Sequence, residues 1–124
     1  MPATILIVDD SATMRALVRT ALEVDAHAVV EAANGVVALD VLAGTAVDLV
    51  ITDVLMPEMD GLALTRALRD DARFRALPIL VLTTESKPAV KERGRTAGAT
   101  GWIVKPFHPD TLRSSVRRAL SERS

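Results

Sequence analysis

At 124 residues, with hydrophobic side chains making up 49% of the chain, the sequence has the length of a single domain and enough apolar material for a sizeable core. Acidic and basic residues are interspersed and nearly cancel, at a formal net charge of -1, so no global field favours nucleic acid or an anionic membrane surface. The absence of cysteine excludes a disulfide scaffold, a thiol nucleophile and thiolate metal ligands, and the two histidines, His27 and His108, lie too far apart in sequence to indicate a histidine-based metal cluster.

Ile5-Leu6-Ile7-Val8 is an aliphatic run without alternation, the pattern of a strand covered on both faces in a parallel sheet. It stops at Asp9-Asp10. Ser11 is a suitable N-cap for a first helix that carries Met14, Leu17, Val18, Ala21 and Leu22 inward and Arg15, Arg19 and Glu23 outward. His27 to Ala32 gives a weaker second strand, and Asn34-Gly35 opens a second helix bearing Val37, Leu39, Val41 and Leu42, ended by Gly44. The third strand, Leu49-Val50-Ile51-Thr52, ends abruptly at Asp53. Pro57 and Asp60-Gly61 then mark a turn, with Asp60 capping a third helix built on Leu62, Leu64 and Leu68 up to the charged turn Arg69-Asp70-Asp71.

Pro78 precedes a fourth strand, Ile79-Leu80-Val81-Leu82, which ends in Thr83-Thr84. Residues 86–97 predict a helix capped by Ser86 with Pro88 in its first turn; Gly94 and a thin apolar stripe make it the expected most mobile helix. Trp102-Ile103-Val104 is a short fifth strand ending at Lys105-Pro106-Phe107, and a last helix from Pro109 turns Leu112, Val116, Ala119 and Leu120 inward. Five alternating units predict one domain over residues 1–124, an α/β three-layer sandwich around a doubly wound, flavodoxin-like parallel sheet of order 2-1-3-4-5, with no attached effector module. No apolar run nears the roughly 20 residues that span a bilayer. Met1-Pro2-Ala3-Thr4 lacks the charged start of a signal peptide, so a cytoplasmic protein without membrane insertion is expected.

That strand order brings Asp9 and Asp10 beside Asp53, because neighbouring strands lie about 4.8 Å apart. At about 4 Å and an effective dielectric near 20, each carboxylate pair repels by roughly 4 kcal/mol, which a retained proton or a bound cation relieves. Magnesium suits such a corner, being held by one or two carboxylates while keeping waters and accepting phosphate oxygens. Lys105 lies two strands from Asp53, about 10 Å in backbone terms, which its side chain can largely cover. Thr83 ends the strand between them. Acids, a hydroxyl and an ammonium at four strand ends suit phosphoryl transfer onto a carboxylate, with Asp53 as nucleophile, magnesium and Lys105 neutralising phosphoryl oxygens and Thr83 donating to one of them.

The chain resembles the response-regulator receiver family from Ile5 to about Leu120. The matching pieces are Ile7-Val8-Asp9-Asp10, Asp53 with Met56-Pro57 and Met59-Asp60-Gly61, Leu82-Thr83, and Gly98-Ala99 running to Lys105-Pro106-Phe107. The resemblance implies that Asp53 takes a phosphoryl group from the phosphohistidine of a partner kinase. It further implies that Asp10, Asp53 and the main-chain carbonyl of Leu55 ligate Mg2+ directly, that Asp9 acts through water, and that the Lys105-Pro106 peptide is cis. A protein of this kind catalyses its own phosphorylation and dephosphorylation and is not a conventional metabolic enzyme.

Within the family the likeness is to stand-alone chemotaxis regulators, through Asp10-Ser11-Ala12-Thr13-Met14-Arg15 and the run from Gly98 to Phe107. That implies a chemotaxis histidine kinase of the CheA type, a flagellar motor switch protein as target, a dedicated phosphatase among candidate partners, and a monomer when unphosphorylated. Trp102 stands where the family places a switch aromatic, turning inward as Thr83 moves toward the phosphoryl group. Lys87, Lys91, Arg95, Arg113 and Arg117 would give that output face a basic character suited to an acidic segment of the partner.

Three rival functions differ in specific residues. An aspartyl phosphatase would carry a second Asp two residues after the nucleophile, where this chain has Leu55. A flavodoxin-like carrier would need a Ser, Thr and Gly-rich loop and stacking aromatics, yet the loop is acidic and aromatics are 2% of the chain. A phosphorelay intermediate, passing the group to another histidine, would share the same receiver chemistry.

Overall fold

The computed structural model describes residues 2–122, so Met1, Arg123 and Ser124 of the expected domain lie outside the described residues. Strands and helices alternate as β1 (Thr4–Val8), α1 (Ala12–Glu23), β2 (Ala28–Ala32), α2 (Gly35–Gly44), β3 (Leu49–Thr52), α3 (Gly61–Asp70), β4 (Ile79–Thr83), α4 (Pro88–Ala97), β5 (Gly101–Val104) and α5 (Pro109–Glu122). The strands form one parallel sheet of order β2-β1-β3-β4-β5, the doubly wound flavodoxin-like arrangement expected.

Unbroken aliphatic runs become central strands because each face meets a helical layer. Ile5, Ile7, Leu49, Ile51, Leu80 and Leu82 point to one side, where Val18, Ala21 and Leu22 of α1 and Leu112, Val116 and Ala119 of α5 cover them. Leu6, Val8, Val50 and Ile79 point to the other, against Ala38 and Leu42 of α2 and Leu64 and Leu68 of α3. Each fully buried Leu or Ile contributes about 1.5–3 kcal/mol, so these two clusters dominate stability. Side-chain caps start the helices as the sequence predicts: Ser11 accepts from the Met14 amide, Asn34 from Val37 and Asp60 from Ala63.

Several expectations differ from what is observed. Leu17 is 53% exposed and Val37 40%, since α1 and α2 bury narrower stripes than their composition allows, the latter resting on Gly35, Ala38 and Leu42. Ser86 does not cap α4; Lys87 occupies the N-cap without a side-chain bond, and Pro88, whose missing N–H costs nothing in a first turn, starts the helix. Arg69 is no turn residue but the last basic residue of α3, its guanidinium donating to the carbonyls of Gly98 and Phe74. A 3-10 turn at Ala72–Phe74 follows. Arg15 and Arg19 do not simply face solvent, because Glu31 of β2 accepts from both.

At the amino end of the sheet His27 is buried, and its Nδ1 accepts from the Ala3 amide at 3.0 Å, which places the ring proton on Nε2. Burial pushes its pKa below the ordinary 6.5; Asp25 opposes that shift, and the amino terminus and Arg117 reinforce it. The unfolded chain therefore binds the proton more readily, so stability is expected to fall as pH drops below about 6.5, with the slope vanishing under the folded pKa. Urea unfolding of wild type and His27→Gln between pH 8 and 5 checks this: a slope equal in both would assign the acid sensitivity elsewhere.

Candidate functional site

The register of the sheet assembles the site. Val8 pairs with Thr52 across β1 and β3, so the residues that follow, Asp9 and Asp53, leave the sheet side by side at its carboxyl edge. Thr83 pairs with Val104 across β4 and β5, which brings Lys105 out at the same edge. The Lys105 amide donates to the Thr83 carbonyl at 2.7 Å, and the Asp53 amide to the Val8 carbonyl at 3.0 Å, so the ladder continues one residue past each strand. The Lys105-Pro106 peptide is cis.

Lys105 extends back over two strands. Its Nζ donates to Asp9 Oδ2 and to Asp53 Oδ2, each at 2.9 Å, with the Lys105 side chain 9% exposed. Burial, the largest single influence, disfavours the ammonium, but the hydrogen bonds it donates to Asp53 and Asp9, with the attraction of their charges, together outweigh it and hold the pKa above its ordinary 10.5. The remaining oxygens are also fixed: Asp53 Oδ1 accepts from the Val54 amide at 2.6 Å and Asp9 Oδ1 from the Ser11 amide at 2.9 Å.

The expected corner of three carboxylates is therefore a pair bridged by an ammonium. Asp9 is buried beside Lys105, Asp10 is exposed, and among the described residues no three acidic or imidazole side chains are gathered closely enough to hold a metal as they stand. The cation that relieves the carboxylate repulsion here is the lysine. The donor set nonetheless fits magnesium, since two carboxylates already converge on one cation position, and the ion needs only one or two carboxylates besides waters and phosphate oxygens. Leu55, whose carbonyl is the further candidate ligand, is exposed in the loop between β3 and α3.

That loop is shaped by close backbone approach. The Gly61 amide donates to the Val54 carbonyl at 2.9 Å, and a Cβ on Gly61 would lie 1.9 Å from the Asp53 carbonyl oxygen. Thr52 Oγ1 donates to the same Asp53 carbonyl at 2.8 Å. Thr83 is fully buried, and its hydroxyl accepts from the Glu85 amide at 3.3 Å, leaving its own proton available.

Trp102 is half-buried on the outer strand. Its ring packs on Val54, Leu62 and Val81, and its Nε1 donates to the Glu85 carbonyl at 3.0 Å, two residues past Thr83. The glycine that weakens α4 in the sequence has a reason here: a Cβ on Gly94 would come within 2.4 Å of the indole. Gly94→Ala is expected to displace the ring and break the Glu85 bond, raising acrylamide quenching of the one tryptophan; unchanged quenching would mean that α4 shifts instead.

The five cations expected on one face divide. Lys87, Lys91 and Arg95 are exposed on α4, and Lys91 and Arg95 line an open cleft of about 410 Å³ with Ser86 and Trp102. Arg113 instead pairs with Asp110 and reaches the Ala21 carbonyl, and Arg117 pairs with Asp25, so both lean toward the α1 side of α5. Helical geometry puts Arg118, not these two, in the groove between β5 and α5 with Trp102, Ile103 and Ser115. Its position three residues after Ser115 is the sequence signal that could have found it.

A family model described as a response regulator receiver domain matches residues 5–117. The chain is 42% identical over 120 residues to chemotaxis protein CheY1 of Helicobacter pylori, covering 94% of this chain and 95% of that one. It is 39% identical over 124 residues to response regulator MprA of a Mycobacterium species, where the match covers this whole chain but spans 53% of MprA. The solved structure of chemotaxis response regulator CheY4 of Vibrio cholerae superimposes with a TM-score of 0.90 at 41% identity, covering 97% of this chain and all of that one. With the sheet order, the acid-lysine cluster at its carboxyl edge and these matches in agreement, the chain belongs to the response regulator receiver domain family.

Proposed function

We propose that this receiver accepts a phosphoryl group on Asp53 from a phosphohistidine of a sensor kinase and reports it by changing which protein it binds, in chemotaxis. The observation that carries the reading is the Lys105 ammonium held at 2.9 Å from both Asp9 and Asp53 where the strands end, in a chain 42% identical to CheY1. An Asp53 oxygen attacks phosphorus, an O–P bond forms as the N–P bond breaks, and the electron pair departs with the imidazole nitrogen, which takes up a proton. Lys105, already poised on Asp53, neutralises a phosphoryl oxygen, and the buried Thr83 hydroxyl donates to another.

Asp10, Asp53 and the Leu55 carbonyl would hold Mg2+, with Asp9 acting through water; when bound, the ion supplies charge neutralisation at the phosphoryl oxygens. Release of Thr83 from the Glu85 amide frees the loop whose carbonyl holds Trp102, which links the site to the α4–β5 face. The exposed Lys91 and Arg95 beside Trp102, with the exposed Lys87 at the start of α4, suit an acidic segment of a flagellar motor switch protein or of a CheA-type kinase. No helix among the described residues is long and apolar enough to cross a membrane, which accords with a place of action in the cytoplasm.

Incubation with acetyl phosphate and magnesium, followed by intact mass measurement beside Asp53→Asn, tests the reading. One base-labile phosphoryl group that needs magnesium and is absent from the variant is the expected result. A phosphoryl group that persists in the variant would place the acceptor elsewhere. Transfer of the label from the phosphorylated chain to a second histidine protein, with no motor-protein binding, would mark a relay intermediate instead.

A further inference from the structure

Arg15 lies one turn into α1, and its guanidinium spans two elements. Side chains on a helix lean toward its N-terminus, so Arg15 falls back over the β1–α1 loop, where one Nη donates to the Asp9 carbonyl at 2.5 Å. Its Nε donates to Glu31 Oε1 at 2.8 Å, and the side chain is 18% exposed. Arg19, one turn further on, occupies the other Glu31 oxygen. Hydrogen bonds from Arg19 and then Arg15 hold the Glu31 carboxyl below its usual pKa, so it is ionised wherever the protein works.

The Asp9 carbonyl belongs to the peptide plane that leads into Asp10. The Asp9 amide already donates to the Ala32 carbonyl of β2 at 3.1 Å, and its carboxylate is held by Ser11 and Lys105. The carbonyl is the remaining freedom at this residue, and Arg15 removes it. Glu31 meanwhile anchors the Nε end of the guanidinium, which fixes the Nη that reaches the Asp9 carbonyl.

We infer that Arg15, braced by Glu31, is a positioning residue that sets the Asp9-Asp10 peptide so that Asp10 meets the metal beside Asp53. The inference rests on the proposed magnesium-dependent phosphorylation, and it predicts a sign that charge alone does not. A guanidinium near the site repels a divalent cation, so by its field alone removing Arg15 would tighten magnesium binding. A positioning role has the opposite consequence, a loss of about tenfold, as for other residues that orient metal ligands.

Magnesium chloride titrations followed by amide chemical shifts in 15N-labelled protein separate these outcomes without any phosphodonor. Arg15→Met is expected to bind magnesium more weakly than wild type, while Arg19→Met, which loses the larger of Glu31's two partners without touching Asp9, binds as wild type does. Equal or tighter binding by Arg15→Met overturns the inference, and so does equal weakening in both variants. Should Arg15→Met fail to fold, Arg15→Lys decides by the same criterion, since an ammonium keeps the charge but not the planar two-ended donor. A wild-type chain without magnesium-dependent shifts near Asp53 would overturn the magnesium reading itself and this inference with it.

Discussion

Lys105→Met is expected to destabilise the metal-free protein by about 3 kcal/mol, at the lower end of what removing one partner from a buried ion pair costs. The side chains involved are 9% exposed for Lys105, 4% for Asp9 and 13% for Asp53, so solvent screens them poorly. Without the ammonium two carboxylates face each other with no counter-ion, and the pair must take up a proton or a metal. Magnesium should then stabilise the variant more than it stabilises the wild type, because it replaces a missing cation there and competes with an existing one here. Chemical unfolding of both proteins with EDTA and with millimolar magnesium measures the two effects together. Equal metal-free stabilities would mean that the attraction across the cluster merely offsets its desolvation. Equal gains from magnesium would mean that lysine and metal do not share the acids.

Gly61→Ala is the second large effect, and its cause is purely steric. The added methyl would lie 1.9 Å from the Asp53 carbonyl oxygen and 2.9 Å from its carbon, both backbone atoms that no rotamer change can move. Either α3 retreats from the end of β3, breaking the bond from the Gly61 amide to Val54, or the Asp53 peptide turns and takes the proposed phosphoacceptor with it. A loss of about 3 kcal/mol, the upper end for overpacking, is expected, with phosphorylation of the surviving folded fraction slowed as well. Gly44→Ala provides the contrast. It sits at the last residue of α2 with nothing within 4 Å of its would-be Cβ, so alanine should stabilise by about 0.5 kcal/mol through its better helix propensity. Opposite signs for the same substitution would separate close approach from backbone entropy; a stable Gly61→Ala protein would mean that the loop after Asp53 yields easily.

The sheet and its order were legible because each central strand is an aliphatic run closed by a polar residue, and the ends of those runs are where Asp9, Asp53, Thr83 and Lys105 stand. Charges were harder to place. Arg15 and Arg19 read as solvent-facing because helical periodicity says which side of α1 is buried, and says nothing about Glu31 on the neighbouring outer strand. Arg113 and Arg117 read as sharing one face with Lys87, Lys91 and Arg95, but Asp110, the Ala21 carbonyl and Asp25 draw them toward α1. The strand order puts both Asp9 and Asp10 beside Asp53, yet successive residues leave a strand in different directions, and Asp9 is buried while Asp10 is exposed. Gly94 read as a helix defect, since nothing local foretells an indole from β5 lying across it.

His27 and the acid-lysine cluster stand at opposite ends of the same sheet. The five residues of β1 separate Ala3, which binds the imidazole, from Asp9, which binds the ammonium, a distance of roughly 20 Å at about 3.3 Å per residue. That is about seven times the 2.9 Å from Lys105 to its acids, and the Coulomb interaction weakens in proportion. A proton gained at the amino end is thus electrically remote from the carboxyl end, and mild acid should lower the number of folded molecules while each survivor keeps its wild-type affinity for cations. The fold insulates its chemistry from its own acid weakness by placing the two at opposite poles.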